Sequence, residues 1–347
     1  MDRRQLVQSL LVAGLLSSVG TTASGAARQK PTALIKPKKL SSGDTIGMVL
    51  PATMAFEQHK IDMAKAQIEA LGFQVKLGAN ARQRLGYFAG SDEQRAADLN
   101  AMFADQEVAG IFCFSGGWGS PRILPHLNYD LIRSNPKVLL GYSDITALLN
   151  VVHQQTGLVT FHGPMMASRL RPWSWENLQK TVMQTKAIGA LHSPAKLETD
   201  FINRDYWLQT IRPGRASGKI VGGNLSLLAA TMGTPWQLHS KNALVFLEEI
   251  DENPYRVDRM LTQLAQGGIF DQAAGVVFGY CTDCKVDGPS FSLEDVLQDR
   301  FAKLSIPVFS GFAFGHLPEM HTLPVGVVAT MDADTGTILI DEAAVVD

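Results

Sequence analysis

Four short stretches of this chain carry residue types that can do chemistry. The first is Gly141-Tyr142-Ser143-Asp144, between the apolar Val138–Leu140 and a helical run over about Ile145–Gln155. A Gly-x-Ser turn between a buried strand and a helix resembles a nucleophile elbow, which holds a hydroxyl up at the edge of a sheet. The following helix offers free N–H groups and a positive dipole end suited to an oxyanion. The blander reading makes Ser143 the N-cap of that helix, with Asp144 favouring its positive end. The second stretch is Ser115-Gly116-Gly117-Trp118-Gly119, after the strand-like Gly110–Phe114. Glycines there let the backbone approach a ligand closely, or simply make a tight turn; no Lys-Ser/Thr follows to support a phosphate loop. The third is Glu248-Glu249, ending the apolar Leu244-Val245-Phe246-Leu247, and the fourth is His316 in Gly315-His316-Leu317-Pro318. A serine nucleophile needs a base, usually a histidine, and often a carboxylate to orient it. Strand alternation sends Glu248 and Glu249 to opposite faces, so only one can serve.

Other candidates read as structural. Cys281-Thr282-Asp283-Cys284 is a lone CxxC. A zinc site would want a second pair, and a redox motif should precede a helix; the two are taken as incidental thiols, with a disulfide as the alternative. Trp173 and Trp175 either line a cleft or pack between domains, with packing preferred. His162 reads as a hydrogen-bonded structural histidine.

These stretches need elements to hold them. Thr45–Pro51 is a short buried run ended by proline, Gln58–Leu71 has apolar residues at helical spacing, and Phe73–Leu77 alternates. Ser91 is placed to N-cap a helix over Ser91–Ala104. Strand and helix then alternate through Gly110–Phe114, Val138–Leu140 and the helix after Ser143, which predicts an α/β layer with a mostly parallel sheet over 41–165. Ligands bind at the C-terminal edge of such a sheet, so the glycine loop and Ser143 would face one crevice. Residues 166–217 show no clear period and read as a crossing region. From 218 to 347, apolar strands (Ala243–Phe246, Gly275–Phe278, Val327–Met331, Ile338–Ile340) mix with helices near Leu225–Met232 and Pro254–Gln266, which predicts a second, α+β domain carrying the Glu and His.

Composition narrows the class. The 347 residues include 31 Lys+Arg against 33 Asp+Glu, a net charge of −2, and 46% apolar side chains. That is too apolar and too weakly charged for a disordered chain, and it lacks the basic excess of a nucleic-acid binder. Three cysteines make no disulfide framework. Residues 1–30, with Arg3-Arg4 before a short apolar centre and a small-residue region, read as an export signal of twin-arginine type. That places the protein in the periplasm. Residues 31–40 read as a basic linker outside the fold. Nothing else approaches a membrane span.

Several ordered blocks resemble one family. They are Gly43-Asp44-Thr45-Ile46, Gly86-Tyr87-Phe88-Ala89-Gly90, Gly116-Gly117-Trp118-Gly119-Ser120, Gly141-Tyr142-Ser143-Asp144-Ile145-Thr146, Phe161-His162-Gly163-Pro164, Gly222-Gly223-Asn224-Leu225, Phe246-Leu247-Glu248-Glu249 with Pro254-Tyr255-Arg256, and Gly315-His316 with Leu323-Pro324-Val325-Gly326. Together, over about Leu40–Ile340, they resemble the LD-carboxypeptidases, serine peptidases that include the microcin C immunity proteins. The resemblance implies a Rossmann-like N-terminal α/β domain and a C-terminal α+β domain of swivelling type, with the active site in the cleft between. It implies a Ser143–His316–Glu248 triad, an oxyanion hole of the Gly117 and Asp144 backbone amides, and weaker substrate contacts at Gly116, Trp118 and Tyr142. It implies no metal or organic cofactor, and a murein tetrapeptide cut before its terminal D-alanine. A homodimer is left open. Ser115 stands where the family commonly has Arg, and Trp118 where it has Tyr. A non-catalytic periplasmic protein with two lobes closing on a small peptide or sugar is the alternative from another class.

Overall fold

The computed structural model describes residues 33–195, 201–202 and 206–347, so the expected export signal lies outside the described residues. The strands are β1 (Thr45–Val49), β2 (Gln74–Leu77), β3 (Val108–Cys113), β4 (Val138–Gly141), β5 (Thr160–His162), β6 (Gly189–Leu191), β7 (Gln209–Arg212), β8 (Arg215–Asn224), β9 (Ala243–Ile250), β10 (Gly275–Thr282), β11 (Val308–Ser310), β12 (Leu323–Val325), β13 (Val328–Asp332) and β14 (Thr337–Ile340). They form a six-stranded sheet, β12-β5-β4-β3-β1-β2, and an eight-stranded sheet, β6-β14-β13-β8-β9-β10-β11-β7.

In the first sheet β2, β1, β3, β4 and β5 run parallel. β3 and β4 read as unbroken apolar runs because a parallel sheet is covered on both faces, and Ile111, Phe112, Leu139 and Leu140 are fully buried. Helices His59–Ala70, Asp92–Ala104, Tyr129–Ser134 and Thr146–Thr156 lie in the crossovers. The second of these starts at a capping box: Gln94 N–H donates to Ser91 Oγ at 3.2 Å and Ser91 N–H to Gln94 Oε1 at 2.9 Å. With this strand order the loops leaving β1, β3 and β4 gather at one edge, beside the point where the order reverses. The second sheet has a parallel centre, β8-β9-β10-β11, flanked by antiparallel strands.

The sheets are joined more tightly than a two-lobe clamp would be. β12, late in the chain, pairs antiparallel with β5 at the edge of the first sheet. The segment from β11 to β12 therefore crosses from one sheet to the other, and His316 sits on it. Asn150, on the helix after Ser143, bonds Gly222 of β8 both ways, at 2.7 and 3.0 Å. Thr146 Oγ1 accepts from Asn224 N at 2.9 Å. Leu244, Phe246, Val277 and Phe309 of the second sheet share a core with β1, β3 and β4. No described helix is long and apolar enough to cross a membrane.

Three expectations are corrected. Residues 33–40 belong to the fold: Leu40 is buried, Ile35 N donates to Gly157 O at 2.8 Å, and Lys36 pairs with Glu342. The region 166–217 holds a helix, Pro172–Val182, and strands β6 and β7 at the two edges of the second sheet. Strands of three or four half-exposed residues have too little periodicity to be seen locally. Cys281 and Cys284 form a disulfide. Asp283 in the left-handed region (φ 56°) turns the chain so that the two Cα atoms lie 5.4 Å apart, a usual span for a bridge.

Candidate active site

Ser143 is separated from the end of β4 by Tyr142 alone and has φ 60°. A non-glycine residue in the left-handed region is strained by about 1–3 kcal/mol and persists only where its surroundings dictate it. Here the turn is fixed by close packing: a Cβ on Gly141 would lie 2.8 Å from Ile145 Cγ2. Ser143 does not cap the helix. Its hydroxyl lies 3.0 Å from His316 Nε2, and His316 Nδ1 lies 2.6 Å from Glu248 Oε2. An ionised carboxylate can only accept, so Nδ1 carries the proton toward Glu248 and Nε2 accepts from the Ser143 hydroxyl.

The histidine is well defined. Tyr142 meets its ring edge-on at 4.9 Å, and Thr282 Oγ1 donates to its backbone carbonyl at 2.7 Å. Burial alone would depress its pKa. The charge and hydrogen bond of Glu248 outweigh that, and the imidazole ends above its ordinary 6.5. Such a ring is a better base than a free histidine, and its cation is stabilised where a proton would arrive.

Glu248 and Glu249 point to opposite faces. Glu248 is completely buried behind His316, and its Oε1 has no hydrogen-bond partner among the described residues. Glu249 accepts instead from Asn224 Nδ2 at 2.9 Å, Ser226 N at 2.8 Å and Ser226 Oγ at 2.7 Å. Burial raises its pKa against those donors. It ties the end of β8 and the start of the following helix to β9 and makes no hydrogen bond with His316.

The glycine loop faces Ser143. A Cβ on Gly116 would lie 2.9 Å from Ser143 Cβ and 3.0 Å from both Asp144 N and Ser143 Oγ, so only glycine leaves the space before that amide open. Gly117 (φ +96°) and Gly119 (φ +118°) need left-handed backbone. Two ties fix the loop: Trp118 N donates to Thr53 Oγ1 at 2.9 Å, and Ser120 N to Asp144 Oδ2 at 2.7 Å. Asp144 thus holds the start of the earlier short helix Ser120–Ile123 rather than the helix that follows it, and its burial raises its pKa against the bonds from Ser120.

Two cavities meet at Ser143. The larger, about 710 Å³, is lined by Trp118, Arg122, Asn224, Asp251 and Glu252 among others. The smaller, about 380 Å³, is lined by Glu57, Lys60, Ser115, Gly116, Tyr142 and His316 among others. Gly117, Trp118 and Ser143 border both. Trp118 is 62% exposed and forms an aromatic rim with Tyr87, 5.8 Å away.

The remaining candidates fall outside the cavities. Trp173 packs on His321 at 4.7 Å and Trp175 on Phe73 at 6.2 Å, as the packing reading expected. His162 is fully buried, but neither ring nitrogen has a hydrogen-bond partner among the described residues, which corrects the hydrogen-bonded reading. Desolvation lowers its pKa to about 4, so it sits as a neutral ring against Phe246, 5.0 Å away. Sequence reasoning passed over Thr53, Thr282 and Lys60. Thr282 lay inside the CxxC; nothing local marked the other two.

Known proteins share this arrangement of elements. A model of the LD-carboxypeptidase N-terminal domain matches residues 46–163, and one of the C-terminal domain matches 217–331. The Bacillus subtilis protein named "Probable murein peptide carboxypeptidase" is 42% identical over 311 residues, 88% of this chain and 94% of its own. The microcin C7 self-immunity protein MccF of Escherichia coli is 28% identical over 329 residues, 87% of this chain and 94% of its own. Its apo structure matches 90% of this chain and 100% of that one with a TM-score of 0.81. The muramoyltetrapeptide carboxypeptidase of Oxalobacter formigenes matches 86% of this chain and 98% of that one, with a TM-score of 0.73 at 26% identity.

Proposed function

The chain belongs to the LD-carboxypeptidase family, and on that premise we propose that it releases the terminal D-alanine of murein tetrapeptides through a Ser143–His316–Glu248 triad and an acyl-enzyme. The single observation that carries this reading is His316, hydrogen-bonded on one side to a strained serine and on the other to a buried carboxylate. His316 Nε2 takes the Ser143 proton as Oγ attacks the carbonyl before the D-residue. The tetrahedral oxyanion is held by the N–H groups of Gly117 and Asp144, each worth about 3–4 kcal/mol in comparable sites. His316 then gives its proton to the leaving amine. Water, activated by the same imidazole, hydrolyses the acyl-enzyme. Glu248 keeps Nδ1 protonated and stabilises the cation between those steps.

The binding-protein alternative loses its footing, because lobes that share a core, an edge strand and the Asn150–Gly222 pair are not free to close on a ligand. Hydrolysis of a peptidyl-nucleotide amide is the second reading, favoured by the likeness to the microcin immunity protein. The Arg3-Arg4 stretch and the Cys281–Cys284 disulfide support action outside the cytoplasm, where disulfides persist.

The test is mass-spectrometric product analysis on murein tri-, tetra- and pentapeptides. Loss of one alanine from the tetrapeptide alone is expected. Cleavage of an aminoacyl sulfamoyl nucleotide with every murein peptide left intact would replace this reading with the second.

A further inference from the structure

The two cavities on either side of Ser143 differ in what lines them, and the difference gives the substrate a direction. Resting on the LD-carboxypeptidase reading, we propose that the smaller cavity is the leaving-group site and that Lys60 anchors the substrate's terminal carboxylate there. The proton that His316 removes from Ser143 must be delivered to the leaving nitrogen, so the residue attached to that nitrogen lies in the space His316 borders. His316 lines the smaller cavity and is absent from the lining of the larger one. The larger space, bordered by Ser143, Asp144 and Gly117, is left for the acyl part, which in a tetrapeptide is three residues against one.

Charge points the same way. Around the larger cavity stand Asp144, Glu249, Asp251 and Glu252 against Arg122, and Arg122 is spent on Asp92 through Nε at 2.9 and 3.0 Å and Nη2 at 2.8 Å. A free carboxylate is disfavoured there. In the smaller cavity Lys60 stands against Glu57, and His316, neutral at rest, becomes cationic when it holds the serine proton. Lys60 Nζ gives one of its donors to Glu57 Oε1 at 2.8 Å and keeps two for a second acceptor. Glu57 in turn lies 3.5 Å from His59 Nε2. Lys60 lies on the first turn of the helix His59–Ala70, on the sheet edge that carries Ser143, so its position relative to the nucleophile is set by the first sheet. A carboxylate held there by a charge-assisted bond separates an exopeptidase that takes one residue from an endopeptidase.

The experiment compares kcat/KM on a murein tetrapeptide ending in D-alanine with kcat/KM on the same peptide ending in D-alaninamide. Wild type is expected to prefer the free acid by about tenfold or more, the scale of one charged hydrogen bond. In Lys60→Ala the acid-to-amide ratio collapses toward one, mainly through KM on the acid, and in Lys60→Arg most of the preference returns. An unchanged ratio in Lys60→Ala overturns the assignment while leaving the LD-carboxypeptidase reading intact. Failure of wild type to cleave either peptide overturns both.

Discussion

The C-terminal edge of the first sheet and the facing ends of β9–β11 in the second build one site by different means. The first works with backbone: a positive-φ serine after β4, and glycines that leave Asp144 N open. The second works with buried side chains: Glu248 and Glu249 side by side on β9, and His316 on the segment leaving β11. The first sheet therefore makes the nucleophile's geometry and the second makes its electrostatics. The crossing segment that carries His316 holds the two in register.

That division can be broken from either side. The largest effect is expected on the electrostatic side. Glu248→Gln keeps the shape but lets the imidazole take the wrong tautomer, and kcat should fall about 10⁴-fold. The same variant sharpens the sign of the His316 shift. Neutral His316 is the base, so wild-type kcat/KM should fall on acidification through a midpoint above 6.5, and any residual Glu248→Gln activity should show that limb at lower pH. Next comes the backbone side. Gly116→Val places a side chain against Asp144 N and Ser143 Oγ and should cost about 10²–10³ in kcat, as loss of one oxyanion donor does. The smallest effect on rate belongs to Glu249→Ala. It removes the acceptor for Asn224 and Ser226 and should lower stability by about 1–3 kcal/mol in denaturant titration, with catalysis changed far less than in Glu248→Gln. Equal loss of activity in the two glutamate variants would erase the distinction between neighbours on β9.

The two halves also differed in legibility. In the first, the long crossover helices show their own period: Gln58–Leu71 is found at His59–Ala70, and Ser91 caps the helix as its spacing with Gln94 allows. The second half is assembled from short pieces whose partners are distant in the chain. β12 pairs with a strand more than a hundred residues earlier and β6 and β7 are edge strands, so local pattern carries little of their signal. The helix Leu293–Phe301 had a readable start in the Ser292–Asp295 capping box. The segment 33–40 looked like linker because it is rich in lysine and proline, while Leu40 is buried and Lys36 pairs with Glu342. At the site, alternation separated Glu248 from Glu249, but the choice between them, and the partner of Ser143, came from ordered motif blocks rather than from any local rule. Lys60 looked like any helix-surface lysine until the fold put the end of its helix beside the nucleophile.

The central claim is that Ser143 carries the acyl group of the substrate between two chemical steps. Rapid-quench intact-mass spectrometry with a murein tetrapeptide tests it directly. The predicted result is a transient adduct equal to the peptide minus D-alanine, mapped to Ser143 by digestion and absent in Ser143→Ala. Undiminished D-alanine release by the Ser143→Ala protein would contradict it.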